Sequence, residues 1–136
     1  MDKASKSETY RVAIVDDHII FLEGFEMLLG KFKNLRHIGS FNSAESFLAQ
    51  LSTIKPDIIF MDINMTGIDG CTTSKIIRNN GFLGKIVATT GNILTRTENK
   101  EFGNCDFYKQ FDDIIIKPFD DQLVLKTLKH FLIKNE

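Results

Sequence analysis

The chain has 136 residues, of which 43% are hydrophobic and 26% charged, and its formal net charge is -1. That length suits one domain with its own core and is too short for two. The composition excludes disordered and fibrous classes, and the near-neutral charge excludes a global attraction to nucleic acid or anionic lipid.

No apolar run approaches the roughly 20 residues that a membrane span requires, and the polar start of the chain lacks the apolar middle of a signal peptide. We therefore expect a flexible tail over 1–9, a single domain over 10–136 and no membrane association. The two cysteines, Cys71 and Cys105, have no metal-ligand spacing. This favours reduced thiols and a cytoplasmic location.

Short β-branched runs alternate with longer amphipathic runs along the chain, which is typical of a parallel sheet wrapped by helices. The pattern predicts strands over 11–15, 36–41, 57–61, 85–89 and 113–116. It predicts helices over 19–32, 44–51, about 70–79 and 120–134, and a further helix over 95–102 within the poorly patterned stretch 91–112. The expected fold class is α/β, with a five-stranded parallel sheet and helices on both faces.

Helical spacing also predicts which side chains pack on the sheet. In the first helix the inward set is Ile20, Leu22, Phe25, Leu28 and Leu29. In the last helix it is Val124, Leu125, Leu128, Phe131 and Leu132. Leu123 lies outside that second stripe and is expected to point away from the core. Ser43 is expected to cap the second helix.

Polar residues follow the predicted strands that meet at one edge of the sheet, where ligands bind in open parallel sheets. Carboxylates crowded there would repel one another, so a cation is needed to balance them. Oxygen ligands suit a hard ion such as Mg²⁺, while a lysine and a threonine suit a phosphoryl group. These candidate residues are Asp16, Asp17, Asp62, Asn64, Thr90 and Lys117. We interpret His18 as a loop residue, because a site of hard oxygens does not need an imidazole.

In their order along the chain, these residues resemble the receiver domain of bacterial-type response regulators in two-component signalling. The resemblance covers about residues 11–131 and implies the flavodoxin-like (βα)5 fold of the chemotaxis regulator. It rests on Asp16-Asp17-His18, on Phe60 to Met65 with Gly70, on Thr90 and on Lys117-Pro118-Phe119.

The resemblance implies that Asp62 accepts a phosphoryl group from a histidine kinase or a histidine phosphotransferase. It further implies Mg²⁺, or Mn²⁺, held by Asp17, Asp62 and the backbone carbonyl of Asn64, with Asp16 acting mainly through water. Phosphorylation would then work as a conformational signalling switch.

Two residues complete that implied site. Thr90 would hydrogen-bond one phosphoryl oxygen, and Lys117 would pair with another. The domain would catalyse only its own phosphorylation and dephosphorylation, and so would not be an enzyme acting on other substrates.

The chain departs from the family pattern at three places. Thr66 stands where the family usually has proline, and the loop is expected to be less rigid. Ile114 stands where an aromatic residue usually precedes the lysine by three positions, which puts the usual form of the switch in question. The stretch between Thr90 and Lys117 is also longer than the family pattern.

Other functions stay open on the residues alone. An aspartyl phosphatase would want a carboxylate where Asn64 stands, and a flavin module would have its phosphate repelled by Asp16 and Asp17. A receiver that mediates contacts without phosphorylation is a further alternative. We expect no DNA binding by this chain and an unidentified downstream protein target. A homodimer is left open as an alternative to a monomer.

Overall fold

The computed structural model describes residues 9–91, 110–117 and 120–132, with side chains described as far as Lys129. Five strands form one parallel sheet: β1 (Tyr10–Val15), β2 (Leu35–Phe41), β3 (Ile58–Asp62), β4 (Lys85–Thr90) and β5 (Asp113–Ile116). The helices within the described part are α1 (Ile19–Leu29), α2 (Ala44–Ile54), α3 (Gly70–Asn79) and α4 (Asp121–Leu132). The predicted α/β class is confirmed, and most strand and helix bounds lie within a few residues of the predicted ones.

The sheet has the strand order β2-β1-β3-β4-β5. The chain therefore winds in one direction from β1 to β2 and in the other from β3 to β5, and the reversal lies between β1 and β3. In the register of these two strands Val15 pairs with Met61. The next residues, Asp16 and Asp62, consequently emerge side by side at the switch point, where doubly wound sheets place their ligand sites.

The core consists of two apolar clusters, one on each face of the sheet. Strand residues alternate between them, as the two-residue period of a strand requires. One cluster packs α2 and α3 on the sheet and includes Phe47, Ile59, Met61, Ile77 and Ile86. The other packs α1 and α4 and includes Phe25, Leu29, Ile58, Phe60 and Val124.

The cap of α2 is confirmed, since the Ser43 side chain accepts a hydrogen bond from the Ser46 amide at 3.1 Å. In α1, Leu22, Phe25 and Leu29 are buried as predicted, but Ile20 is 84% exposed. The prediction for Ile20 is therefore wrong, because at about 100° per residue Ile20 lies on the helix face opposite the buried residues Leu22, Phe25 and Leu29.

The packed face of α4 was also predicted incorrectly in part. Leu123 packs against the core cluster, whereas Leu125 is 40% exposed. The face is rotated toward Thr127, which is buried and donates its hydroxyl to the Leu123 carbonyl at 3.0 Å. Because that bond satisfies the hydroxyl, a polar residue takes a core position that the apolar pattern had given to Leu125. The side chains of Phe131 and Leu132 are not among those described.

Cys71 is disulfide-bonded, so the expectation of a reduced thiol at this position is wrong. Cys105, the predicted helix over 95–102, Pro118 and Phe119 lie outside the described residues. The same holds for residues 1–8 of the expected tail. Within the described chain, no helix has the length and apolar character needed to span a membrane.

Candidate functional site: an acidic pocket at the switch point

Two aspartates meet where β1 and β3 end. Asp16 directly follows β1 and is 0% exposed, and Asp62 is the last residue of β3 and 2% exposed. A parallel register brings them to the same edge of the sheet. The sequence prediction that these carboxylates converge is confirmed.

Lys117, one residue beyond β5, brings a positive charge into the pocket. Its Nζ lies 2.7 Å from Asp16 Oδ2, 3.5 Å from Asp62 Oδ1 and 4.3 Å from the centre of the Phe21 ring. Its backbone amide donates to the Thr90 carbonyl at 2.7 Å. Lys117 is 101 residues from Asp16 in the sequence, and the pairing of β4 with β5 places it beside the two aspartates.

Asp17 faces the loop after β3 and is held by Thr66. Its Oδ2 accepts hydrogen bonds from the Thr66 amide at 3.0 Å and from the Thr66 hydroxyl at 2.9 Å. Burial alone would raise the pKa of Asp17. The two hydrogen bonds from Thr66 and the nearby His18 lower it by more than burial raises it, so the pKa is below its ordinary value. Asp17 is thus kept as a carboxylate, and the loop is tied to it through the residue that replaces the usual proline.

The carboxyl group of Asp62 is the least satisfied in the pocket. Its Oδ2 is buried and has no hydrogen-bond partner among the described residues, although Lys117 approaches the other oxygen. Burial and the charge of Asp16 raise the pKa of Asp62 to about 6; Lys117 opposes that rise and Asp17 adds to it. Such a carboxylate is energetically costly to keep ionised unless a cation or a phosphoryl group is added.

The other predicted site residues lie at the same edge. Thr90 is the last residue of β4 and is buried, and Asn64 is exposed in the loop two residues after Asp62. The structure also brings His18 to the pocket, with its Nδ1 3.1 Å from Asp16 Oδ1 and 3.2 Å from Asp17 Oδ1. His18 directly follows Asp16 and Asp17 in the sequence, and this adjacency could have indicated that its ring lies at the pocket.

The loop after Asp62 is held against the start of α3 by a glycine. The Gly70 amide donates to the Ile63 carbonyl at 2.9 Å, and a Cβ at Gly70 would overlap the carbonyl oxygen of Asp62 and the Cα of Ile63. Only glycine allows the helix to begin this close to the phosphoacceptor candidate.

The donor set fits a divalent cation. Asp16, Asp17, His18 and Asp62 each offer one ligand atom, and these four atoms lie within 4.8 Å of one another. Two of the carboxylate oxygens, Asp17 Oδ1 and Asp62 Oδ2, are buried without a hydrogen-bond partner in the described part of the chain. Among the described residues, three carboxylates face one ammonium, that of Lys117, so the pocket has the negative charge that a divalent ion balances.

Fold and site together define a doubly wound α/β domain with an acidic pocket and a lysine at its switch point. The family model of the response regulator receiver domain matches residues 12–129, and the chain belongs to that family. It is therefore a receiver domain of two-component signalling, a class whose members bind a divalent metal at an acidic pocket.

Several relatives illustrate the match. The sensory transduction protein LytT of Bacillus anthracis is 27% identical over 89% of this chain and 46% of its own length. The response regulator GacA of Pseudomonas viridiflava is 36% identical over 59% of this chain and 37% of its own length. The chain thus spans about half or less of the length of these curated relatives.

Solved structures share the fold. The signal receiver domain of the putative response regulator NarL from Mycobacterium tuberculosis has a TM-score of 0.77 and 18% identity, and covers 90% of this chain and 95% of its own. The isolated REC domain of RcsB from Salmonella enterica serovar Typhimurium, determined in the presence of phosphomimetic BeF3-, has a TM-score of 0.75 and 23% identity. That match covers 95% of this chain and 91% of the RcsB domain. The predicted flavodoxin-like receiver fold is confirmed.

Proposed function

We propose that this receiver domain accepts a phosphoryl group on Asp62 in a reaction that requires Mg²⁺ or Mn²⁺, and that it acts as a conformational signalling switch. The observation that carries the proposal is the buried Oδ2 of Asp62, which has no hydrogen-bond partner in the described part of the chain and lies in a pocket shared with two carboxylates and a lysine. A phosphohistidine of a histidine kinase or phosphotransferase is the donor. A downstream protein target that binds the phosphorylated conformation is part of the same proposal.

In the proposed step a carboxylate oxygen of Asp62 forms a bond to phosphorus as the phosphorus–nitrogen bond of the donor breaks. The electron pair of that bond leaves with the imidazole. Lys117 already lies within 3.5 Å of Asp62 Oδ1, so its ammonium can pair with a phosphoryl oxygen by a small movement. The Thr90 hydroxyl is assigned to a second oxygen. The protein contributes mainly position and charge to such a transfer.

The metal is assigned to Asp17, Asp62 and the backbone carbonyl of Asn64. A bound divalent ion neutralises charge on the phosphoryl oxygens. Asp17 suits this role because its hydrogen bonds from Thr66 hold it ionised. Asp16 is engaged by Lys117 at 2.7 Å, which supports its assignment to an indirect role through water and through placement of the lysine.

Two further parts of the proposal concern the switch and the compartment. Ile114 packs partly buried against the α2–α3 cluster. An aliphatic side chain therefore occupies the position of the usual aromatic switch residue, and the signal has to leave the site by another route.

A cytoplasmic site of action is proposed from the family alone, because the disulfide at Cys71 removes the argument from reduced thiols.

The test is phosphorylation by acetyl phosphate with Mg²⁺, followed by intact mass spectrometry. The wild type should gain one phosphoryl mass, and Asp62→Asn should not. Asp57→Asn is the matched control. Asp57 lies one residue before β3 begins, at the end of the strand away from the pocket, and accepts a hydrogen bond from the Arg11 amide. This variant should be labelled like the wild type. Equal labelling of Asp62→Asn and the wild type would refute the assignment.

A further inference from the structure

His18 lies against the acidic pair in a defined position. Its backbone amide donates to Asp16 Oδ1 at 2.9 Å, and its ring Nδ1 faces the same oxygen at 3.1 Å. The ring is 67% exposed, so it can adjust without disturbing the core. Hydrogen bonding explains the approach to Asp16, but Nδ1 also lies 3.2 Å from Asp17 Oδ1, an oxygen that has no hydrogen bond from any described residue.

These separations match those between neighbouring ligands of one metal ion. Nitrogen and oxygen ligands lie about 2.1 Å from divalent ions of this size. Two such ligands at a right angle are therefore about 3 Å apart. The observed distance of 3.2 Å from Nδ1 to Oδ1 of Asp17, which is assigned above as a direct ligand, has this value. A cation could thus bind Nδ1 and Asp17 Oδ1 together with little movement of either side chain.

A second observation points to a ligand at the same place. The side chain of Asp62 is 3% exposed, and its Oδ2 has no hydrogen-bond partner among the described residues. The same carboxyl group belongs to the cluster that includes His18. An orphaned buried carboxylate oxygen is costly unless a cation binds it. His18 and Asp62 thus approach one pocket from the two strands that flank the switch point.

We infer that His18 is a nitrogen ligand to the cation in this pocket, and that it gives the site selective affinity for later first-row divalent ions such as Co²⁺, Ni²⁺ and Zn²⁺. Imidazole favours these ions over Mg²⁺, which prefers oxygen ligands. The inference rests on the metal part of the proposed function, but it concerns which ion the pocket prefers. His18 does lie in the loop between β1 and α1, as interpreted from the sequence, and the inference adds a ligand role at that position.

The experiment measures binding of Co²⁺ and Mg²⁺ by tag-free protein that has first been treated with a chelator. Removal of a metal-site partner typically costs tenfold to a hundredfold in affinity. We therefore expect His18→Ala to lose at least about tenfold more affinity for Co²⁺ than for Mg²⁺. The visible absorption of bound Co²⁺ should change as well, since it reports the ligand set. His37→Ala is the matched control, because His37 contacts Ser40 on β2 and should leave both affinities unchanged.

Equal changes in Co²⁺ and Mg²⁺ affinity in His18→Ala, or no change in either, would overturn the inference. An unchanged Co²⁺ spectrum in that variant would do the same. Failure of the proposed function is a separate result, because it would appear as absent phosphorylation of wild-type protein in Mg²⁺. Melting of His18→Ala without metal verifies that the variant is folded.

Discussion

At the scale of single residues, the protonation of Asp62 links the site to stability. The pKa of this carboxyl group is raised to about 6 in the fold from an ordinary value of 3.8. The folded state therefore keeps a proton that the unfolded chain has lost between these two values. Stability consequently falls as pH rises through this window, and the loss persists above it.

This gives a prediction for the metal-free protein. Asp62→Asn removes the ionisable group, so it should be more stable than the wild type at pH 7 by about 3 kcal/mol, with the difference closing toward pH 4. Urea unfolding at several pH values in the presence of a chelator measures it. A stability difference that is constant over this pH range would show that Asp62 does not titrate in this way.

Asp17 provides a second prediction. Asp17→Ala should remove most of the increase in melting temperature that Mg²⁺ gives the wild type, because a ligand stabilises only the state that binds it. Asp121→Ala is a suitable control, since Asp121 is half exposed and lies in a surface contact with Lys31. If Asp17→Ala keeps the full Mg²⁺ effect, Asp17 is not a ligand.

The convergence of Asp16, Asp62 and Lys117 could be predicted because each directly follows a readable strand. The role of Thr66 could not be predicted in this way. Its amide and hydroxyl both reach Asp17 through the conformation of an irregular loop, and no periodic pattern encodes that conformation. A proline here would lack the amide donor, so the substitution adds a contact to the site that the expectation of a looser loop had missed.

At the scale of secondary-structure elements, the start of α3 depends on Gly70. Gly70→Ala should destabilise the protein by about 1–3 kcal/mol, because the new methyl group meets backbone atoms of Asp62 and Ile63. Gly24→Ala is the matched control within α1, where an added Cβ meets nothing within 4 Å. That change should stabilise by up to about 1 kcal/mol. Equal effects of the two substitutions in urea unfolding would contradict this account of α3.

The packed face of α4 gives a fourth prediction. Leu128 is 4% exposed and Leu125 is 40% exposed, so Leu128→Ala should cost about 2–5 kcal/mol and Leu125→Ala much less. Thermal or urea unfolding of the two variants provides the comparison. If Leu125→Ala lowers the free energy of unfolding more than Leu128→Ala does, the packed face of α4 is the one that the apolar pattern predicted.

That pattern failed for a physical reason. A stripe drawn through apolar residues assigns Thr127 to the surface, but its hydroxyl is satisfied by the Leu123 carbonyl one turn earlier. Local hydrogen bonds of this kind depend on the formed helix, so they are not visible in the hydrophobic spacing alone. Strands were easier to predict, because β3 and β4 are buried on both faces and contain the apolar runs 58–61 and 86–88.

At the scale of the whole molecule, the strand order explains why distant residues form one site. The reversal between β1 and β3 brings Asp16 beside Asp62, and β5 adds Lys117 through its pairing with β4. Buried apolar clusters on both faces hold these strand ends in place. The result is a pocket with excess negative charge on a rigid sheet, which is suited to binding a cation and a phosphoryl group together.

The most direct test of phosphoryl acceptance is to locate the modified residue. Wild-type protein is treated with acetyl phosphate and Mg²⁺, the acyl phosphate is reduced with borohydride, and the peptides are sequenced by mass spectrometry. We expect the reduced residue, homoserine, at position 62. Reduction at position 16 or 17, or none at 62 under conditions that add a phosphoryl mass, would contradict the account.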